Sequence, residues 1–398
     1  MTGEEATPKN AAACVEYVTT EIKCLLEKSN ILDEAKEKAL PHFYTEEIEK
    51  GKRLGSGMFG TVYEITKVNI SEEEKKETTE EDENIEAKDF IAEHCLRENT
   101  GDARYAVKIL NKDVVEDPEL FLKGSLDLAM EANFLSNLMH PNLIKVRGAS
   151  VTAELGTKDY FVVMDRLYDT LENRMEDWKK KARKLSGPTA MMKKEAKKEF
   201  LIERLHVAFE LSAALSYIHN LKVIYRDLKP ENLGFDIRGD VKIFDFGFAK
   251  ELHNDMENGF DGSGSELYNL TGKTGTLIYM APEVVLMKPY NTKSDVYSYG
   301  MLLWEFLHLK EPFKKGVTAG MHELMVCKKG IRPKVEKKGS DVAQSLVTQA
   351  WAQDIGKRPT MKTINLKLRT EVQKLKSGGD EGNMDFTRRR STHVFKKK

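Results

Sequence analysis

Tyr225-Arg226-Asp227-Leu228-Lys229-Pro230-Glu231-Asn232 and, beyond a Gly239-Asp240 turn, Val241-Lys242-Ile243-Phe244-Asp245-Phe246-Gly247 form the stretch on which the reading of this chain turns. Two short loops, separated by the strand-like run Val241 to Phe244, carry a carboxylate, an ammonium, an amide and a second carboxylate. Transfer of a phosphoryl group from a magnesium nucleotide needs such a set. Asp227 suits the orienting of an attacking hydroxyl, and Lys229 the neutralising of charge that grows on the phosphate. Asn232 and Asp245 supply hard oxygen ligands of the kind magnesium takes.

This stretch resembles the eukaryotic protein kinase family. The first loop departs from the family's H-R-D-L-x-x-x-N only in having Tyr225 for the histidine, and D-F-G is complete at Asp245, Phe246 and Gly247. Working outward, further motifs follow in the family's order. Gly55-Ser56-Gly57-Met58-Phe59-Gly60-Thr61-Val62 lies between two strand-like runs, where glycines let backbone close over phosphates. Tyr105-Ala106-Val107-Lys108-Ile109-Leu110 is an apolar strand with a lysine inside it, and an unpaired ammonium there would be costly. The resemblance implies that Lys108 holds phosphates and pairs with Glu131 on the following helix, expected over Leu120 to Leu138. It also implies a hinge at Phe161 to Leu167, with Met164 at the back of the ATP site and Asp165 and Leu167 beside the adenine. The other nucleotide contacts it implies are Gly55, Ser56, Gly57, Gly60, Val62 and Ala106.

Beyond the D-F-G, Phe248 to Lys273 reads as a mobile activation segment, rich in glycine and polar residues. Gly275-Thr276-Leu277-Ile278-Tyr279-Met280-Ala281-Pro282-Glu283 is similar to the peptide-docking strip and A-P-E of Ser/Thr kinases. The family's pattern further implies that Asp295 braces the catalytic-loop backbone and that Arg358 pairs with Glu283. Tyr225 and Phe246 take structural places. Lys229, two residues after Asp227, and Gly275-Thr276 point to Ser/Thr rather than tyrosine specificity. Trp304-Glu305 and Lys357-Arg358-Pro359-Thr360 look closest to the tyrosine-kinase-like group. Arg226 beside Asp227 implies control by activation-loop phosphorylation, at Thr271 and Thr274 first and Ser263 and Ser265 next.

The implied fold is α+β: a bilobal kinase fold with a small antiparallel-sheet N-lobe carrying one main helix, and a larger, mostly helical C-lobe. The expected organisation is a helical N-terminal extension (1–46), a kinase domain (47–370, N-lobe 47–165 and C-lobe 166–370) and a disordered basic tail (371–398). Val15, Val18, Ile22, Leu25 and Leu26 give the extension an amphipathic helix, and a second short helix is expected over Leu32 to Leu40. The helix before the catalytic loop is expected over Phe200 to Asn220. An insert at 71–102 departs from the family. Its acidic part, 71–87, reads as a solvated loop, and 88–98 as a small helix. Gly234 stands where the family packs a leucine under adenine, so an enlarged pocket floor is expected, a loss of about 1 kcal/mol.

Composition sets limits on the rest. A net charge of −1 argues against a general nucleic-acid binder. The four cysteines have no C-x-x-C pair, as reduced thiols do in the cytoplasm. The acidic start lacks a signal peptide's apolar core, and no run is long enough to span a membrane. The expectation is therefore a cytoplasmic or nuclear Ser/Thr protein kinase using ATP and Mg2+. It acts on protein substrates, with an upstream activating kinase, no nucleic acid and no membrane span. The alternative is a pseudokinase scaffold, against which stands the complete set Lys108, Glu131, Asp227, Lys229, Asn232 and Asp245.

Overall fold

The computed structural model describes residues 11–70, 83–151, 159–186, 193–313, 316–337 and 339–377. They fall into two compact units, the first within Met1–Met139, Leu143–Arg166 and Asp245–Gly247, the second within His140–Asn142, Leu167–Phe244 and Phe248–Lys398.

The first unit is built on a six-stranded sheet of order β1-β5-β6-β4-β3-β2. Its strands are β1 (His42–Phe43), β2 (Ile48–Ser56), β3 (Gly60–Val68), β4 (Tyr105–Leu110), β5 (Val146–Ser150) and β6 (Phe161–Asp165). All neighbours are antiparallel except β1 and β5, which run parallel. The sheet is thus not purely antiparallel, because the N-terminal extension is not purely helical: residues 42–43 join the sheet edge. Alternation puts Ile65, Tyr105, Val107, Phe161 and Val163 on one buried face with Phe43 and Ile48.

Helix α3 (Glu83–Glu93) lies in the insert, so residues 83–87 are helical rather than loop, and the helix starts earlier and ends earlier than 88–98. Residues 71–82 lie outside the described ones. Ile91 and Cys95 join the sheet's core cluster. Lys88 is buried beside Phe43 and pairs with Glu47 at 3.0 Å, so the helix is fixed by charge as well as by packing.

Helices α1 (Ala11–Lys28), α2 (Glu34–Lys38) and α4 (Lys112–Glu116) pack on α5 (Pro118–Asn137). Cys14, Val18 and Ile22 form α1's buried stripe at helical spacing. Residues 32 and 33 stay outside α2, whose first turn is capped by Asp33. Asp117 accepts from the amides of Glu119 and Leu120, and Pro118 follows it, which starts α5 two residues ahead of Leu120.

The second unit is mostly helical: α6 (Leu171–Leu185), α7 (Lys194–Asn220), α8 (Pro282–Val285), α9 (Lys293–His308), α10 (Ala319–His322), α11 (Asp341–Ala350) and α12 (Met361–Ser377). Every residue of α9 is buried; α7 and α11 pack against it, and α12 packs on both of those. Helix α7 begins at Lys194, six residues ahead of the Phe200 start expected for it, and ends at Asn220 as expected. Helix α12 runs to Ser377, so residues 371–377 are not a disordered tail; its Val372 is buried. The remainder of the tail lies outside the described residues.

Short strands β7 (Asp169–Thr170), β9 (Leu233–Phe235) and β10 (Val241–Ile243) form a small sheet that shapes the catalytic loop. Strands β8 (Val223–Ile224) and β11 (Lys250–Glu251) pair beside it. The activation segment is folded rather than loose. Strands β12 (Glu257–Phe260) and β13 (Glu266–Tyr268) make an antiparallel hairpin. Its turn is tied by Asp261, whose Oδ1 accepts from Ser263 N, Ser265 N and Ser263 Oγ at 2.6–3.0 Å.

Candidate active site

The site residues form two groups, one in each unit. In the first unit, the register of the sheet sets Val62 opposite Lys108 and Ala106 opposite Met164. Lys108 Nζ donates to Glu131 Oε2 at 2.5 Å and to Asp245 Oδ1 at 3.2 Å, and Asp245 N donates to Glu131 Oε1 at 2.9 Å. Burial alone would lower the Lys108 pKa. The Asp245 and Glu131 carboxylates outweigh it and hold the ammonium above its ordinary value. Lys108 is therefore a charged, fully directed cation.

The turn between β2 and β3 is closed by Gly57 N donating to Gly60 O at 2.8 Å. Asn111, which the sequence reading did not single out, ties this turn from below. Its Nδ2 reaches Gly57 O and Met58 O, its N donates to Phe59 O, and its Oδ1 accepts from Thr61 Oγ1. Ser56 Oγ and Thr61 Oγ1 share a hydrogen bond at 3.0 Å across the same hairpin. Gly55 pairs with Val62 in register. At the end of β6, the Asp165 carboxylate receives Arg147 through Nε and Nη2, at 2.7 and 3.1 Å, so the side chain is engaged by the sheet itself.

In the second unit, Asp295 organises the catalytic loop from below. Its Oδ2 accepts from Tyr225 N at 2.8 Å and its Oδ1 from Arg226 N at 2.9 Å, while His219 Nε2 lies 2.8 Å from Oδ2. Tyr225 is buried, and its hydroxyl donates to Phe244 O at 2.5 Å. It does more than fill an apolar slot, for it fixes the carbonyl just ahead of Asp245.

The Asp227 carboxylate is held on both oxygens. Thr276 Oγ1 donates to Oδ1 at 3.0 Å, and Lys229 Nζ and Asn232 Nδ2 reach Oδ2 at 2.7 and 2.9 Å. Gly275 makes the approach of Thr276 possible. It has φ +98°, and a Cβ there would stand 2.3 Å from Arg226 O. Farther out, Arg358 grips Glu283 through two nitrogens at 2.6 and 2.8 Å, buried under the A-P-E turn.

Gly234 does not leave an enlarged floor. A Cβ there would stand 2.6 Å from Leu167 Cδ1, so the Leu167 side chain already fills that space. Arg226 Nη1 donates to Thr271 Oγ1 at 2.8 Å, and Thr274 Oγ1 donates to Thr271 O at 3.2 Å. Lys250, also unremarked in the sequence, stands near Arg226. Burial and then the Arg226 guanidinium depress its pKa. Ser263 is committed elsewhere, since it lies between Asp261 and Lys293.

The protein kinase domain family matches residues 90–367, more than half of the chain. The chain belongs to the protein kinase family. The matched range leaves out the glycine turn at 55–60, which the β2–β3 hairpin supplies. Among known proteins the kinase is similar to serine/threonine-protein kinase STY17 of Arabidopsis thaliana, 29% identical over 297 residues, 74% of this chain and 44% of the relative. It is 30% identical over 264 residues to cAMP-dependent protein kinase type 3 of Saccharomyces cerevisiae, 66% of this chain and 56% of that one. It is 28% identical over 256 residues to mitogen-activated protein kinase kinase kinase 7 of Bos taurus, 63% of this chain and 38% of the relative. The chain thus spans well under two thirds of these relatives' lengths. They bear out the resemblance drawn from the motifs, its leaning toward the tyrosine-kinase-like group included.

Proposed function

We propose that this kinase transfers the γ-phosphate of ATP to serine and threonine hydroxyls of protein substrates. The observation that carries the reading is the Asp227 carboxylate held between Thr276, Lys229 and Asn232. A carboxylate locked in one orientation suits a group that must align a hydroxyl and take its proton. Lys229, beside it, offsets charge on the transferring phosphate, and Lys108 does so for the bound nucleotide, held in place by Glu131. Thr276, donating to Asp227 from the peptide-docking strip, supports hydroxyl substrates of the Ser/Thr class.

Mg2+ fits the donor chemistry of each half. Asn232 turns its amide nitrogen toward Asp227, which directs its carbonyl oxygen away. Asp245 is a carboxylate with a side chain 36% exposed. Among the described residues no group of three or more His, Cys, Asp and Glu could hold a metal ion by itself. Two oxygen donors completed by phosphate and water are the usual arrangement for Mg2+. When bound, the ion would draw charge from the phosphates, and Asn232 and Asp245 would hold it.

Regulation by an upstream kinase acting on Thr271 is supported by the position of that exposed hydroxyl on Arg226, with Lys250 close by. We place the protein in the cytoplasm or nucleus. Among the described residues Cys14, Cys24, Cys95 and Cys327 form no disulfide, which supports a reducing compartment. No helix among the described residues is long and apolar enough to cross a membrane.

The test is transfer from γ-labelled ATP with Mg2+ to a generic protein substrate and to the chain itself, with phosphoamino-acid analysis. Wild type should yield phosphoserine or phosphothreonine, and Asp227→Asn and Lys108→Met should yield neither. Wild type no better than these variants after treatment with activating kinases would overturn the reading and favour a scaffold.

A further inference from the structure

We propose that Asp127 is a positioning residue that holds the Asp245-Phe246-Gly247 segment and thereby sets how well Asp245 receives a divalent cation. The inference rests on the kinase reading above, which gives Asp245 that task.

The geometry is that of one helix face gripping three consecutive residues. Asp127 and Glu131 are one turn apart on α5 and so lie on the same face, and Phe134 continues it. Glu131 Oε1 accepts from Asp245 N at 2.9 Å. The Phe134 and Phe246 rings, both buried, lie with centroids 6.4 Å apart. At the third residue the Asp127 carboxylate occupies the place of a side chain. A Cβ on Gly247 would stand 1.8 Å from Asp127 Oδ1 and 2.7 Å from Oδ2. Gly247 is not among the glycines with positive φ, so position 247 requires glycine for space and not for conformation.

This grip has something to hold. Asp245 itself sits at φ +65°, a conformation that a non-glycine residue keeps only where its surroundings impose it. Glu131 restrains the segment at its start and Asp127 at its end. The charge on Asp127 also reaches Lys108. Three carboxylates, Asp127, Glu131 and Asp245, then stand near one ammonium, and the excess negative charge favours a divalent cation at Asp245.

The experiment uses the full chain. Wild type, Asp127→Ala, Asp127→Asn and, as a control on the same helix, Glu119→Gln are mixed with a non-hydrolysable ATP analogue. MgCl2 is titrated while the melting temperature is read, and kcat and the KM for ATP are measured alongside. Asp127→Ala should raise the Mg2+ midpoint about tenfold, as the loss of a residue that orients a metal ligand does. Asp127→Asn, which keeps the shape, should raise it less, and Glu119→Gln should leave it unchanged. A wild-type midpoint in both Asp127 variants overturns the proposal, as does a wild type with no Mg2+-dependent shift. A second arm tests the pairing itself. Gly247→Ala should abolish the Mg2+-dependent shift, and Asp127→Ala in the same chain should restore part of it; no restoration overturns the pairing. A wild type that binds Mg2+ and nucleotide but transfers no phosphate would refute the kinase reading and leave the Asp127 result legible.

Discussion

The Arg226 guanidinium is anchored to Phe248 O through Nε at 2.6 Å and presents Nη1 to the Thr271 hydroxyl at 2.8 Å. One residue of the catalytic loop thus already holds the residue that phosphorylation would change. A phosphate on Thr271 would replace a neutral acceptor by a dianion facing Arg226, whose charge also reaches Lys250. A hydrogen bond to a charged group contributes about 1.5–3 kcal/mol. Thr271→Ala combined with Thr274→Ala should lower kcat/KM by about tenfold or more relative to activated wild type, with the order of effect following from that energy. Lys250→Ala should reduce the activation without abolishing basal transfer. Full activity in the double variant would sink the idea, and mass spectrometry of activated wild type should find the phosphate on Thr271.

A buried ion pair holds the activation segment at its hairpin. Asp261 and Lys293 are buried, with Lys293 Nζ 2.9 Å from Asp261 Oδ2 and 2.7 Å from Ser263 Oγ. Burial pushes the Asp261 pKa up, but hydrogen bonds from Ser263, Lys293 and backbone amides outweigh it and hold it well below the usual carboxylate range. Removing one partner of such a pair costs about 3–5 kcal/mol. Asp261→Ala should therefore destabilise the protein by that order in urea unfolding. The sign with pH follows from the depressed pKa. The contribution is complete above the unfolded value of about 4 and is lost as pH falls below it toward the folded value. The stability gap between wild type and Asp261→Asn should shrink steadily below pH ~4. A gap that is the same at pH 7 and pH 3 would show that this carboxylate is not what pins the hairpin.

The complementarity of Leu167 and Gly234 can be tested by exchange. Because Leu167 Cδ1 fills the space above Gly234, Gly234→Leu should overpack and cost about 1–3 kcal/mol. Leu167→Ala should open a hole, and because this side chain is only half-buried the cost should sit at the low end of the core range, about 2 kcal/mol. The double variant moves the leucine from one position to the other, so its loss should be smaller than the sum by 1 kcal/mol or more, on the scale of coupled neighbours. Chemical denaturation of the four proteins decides it. Strict additivity would mean that the two residues do not share the space.

The motifs were legible because each is a residue type the chemistry requires at a fixed distance along the chain. Asp227, Lys229 and Asn232 lie in one loop, and Lys108 is an ammonium in an apolar strand with one well-placed helical glutamate. What escaped notice depends on contacts between distant segments. Asn111 has no motif around it and acts through the glycine turn that folds back on it. Asp127 looks like any helical carboxylate until Gly247 is brought against it. The activation segment reads as a loop from its glycines, and its hairpin depends on Asp261 meeting Lys293 across more than thirty residues. Gly234 suggested a hole because the side chain that fills it comes from Leu167, on another segment.

Stability of the whole fold should fall as pH rises from the acid range toward about 8. Glu305, on the buried helix α9, accepts from Tyr279 Oη at 3.0 Å, and burial pushes its pKa up to about 8. In the unfolded chain it would titrate near 4.5. Between those values the folded protein keeps a proton that the unfolded chain has released, so rising pH favours unfolding. Below pH 4.5 both states are protonated and the effect vanishes; from there to about pH 8 stability should fall, at up to about 1.4 kcal/mol per pH unit for this group. Glu210, half-buried and also pushed up to about 8, mainly by desolvation, acts in the same sense. Glu305→Gln keeps an acceptor for Tyr279 but cannot ionise. It should flatten the decline in unfolding free energy between pH 5 and pH 8 and leave the variant more stable than wild type at pH 8, by on the order of 2 kcal/mol. Glu210 would still give the variant a residual slope. Parallel stability curves for the two proteins across that range would mean that Glu305 is already ionised in the fold, with Tyr279 as sufficient compensation.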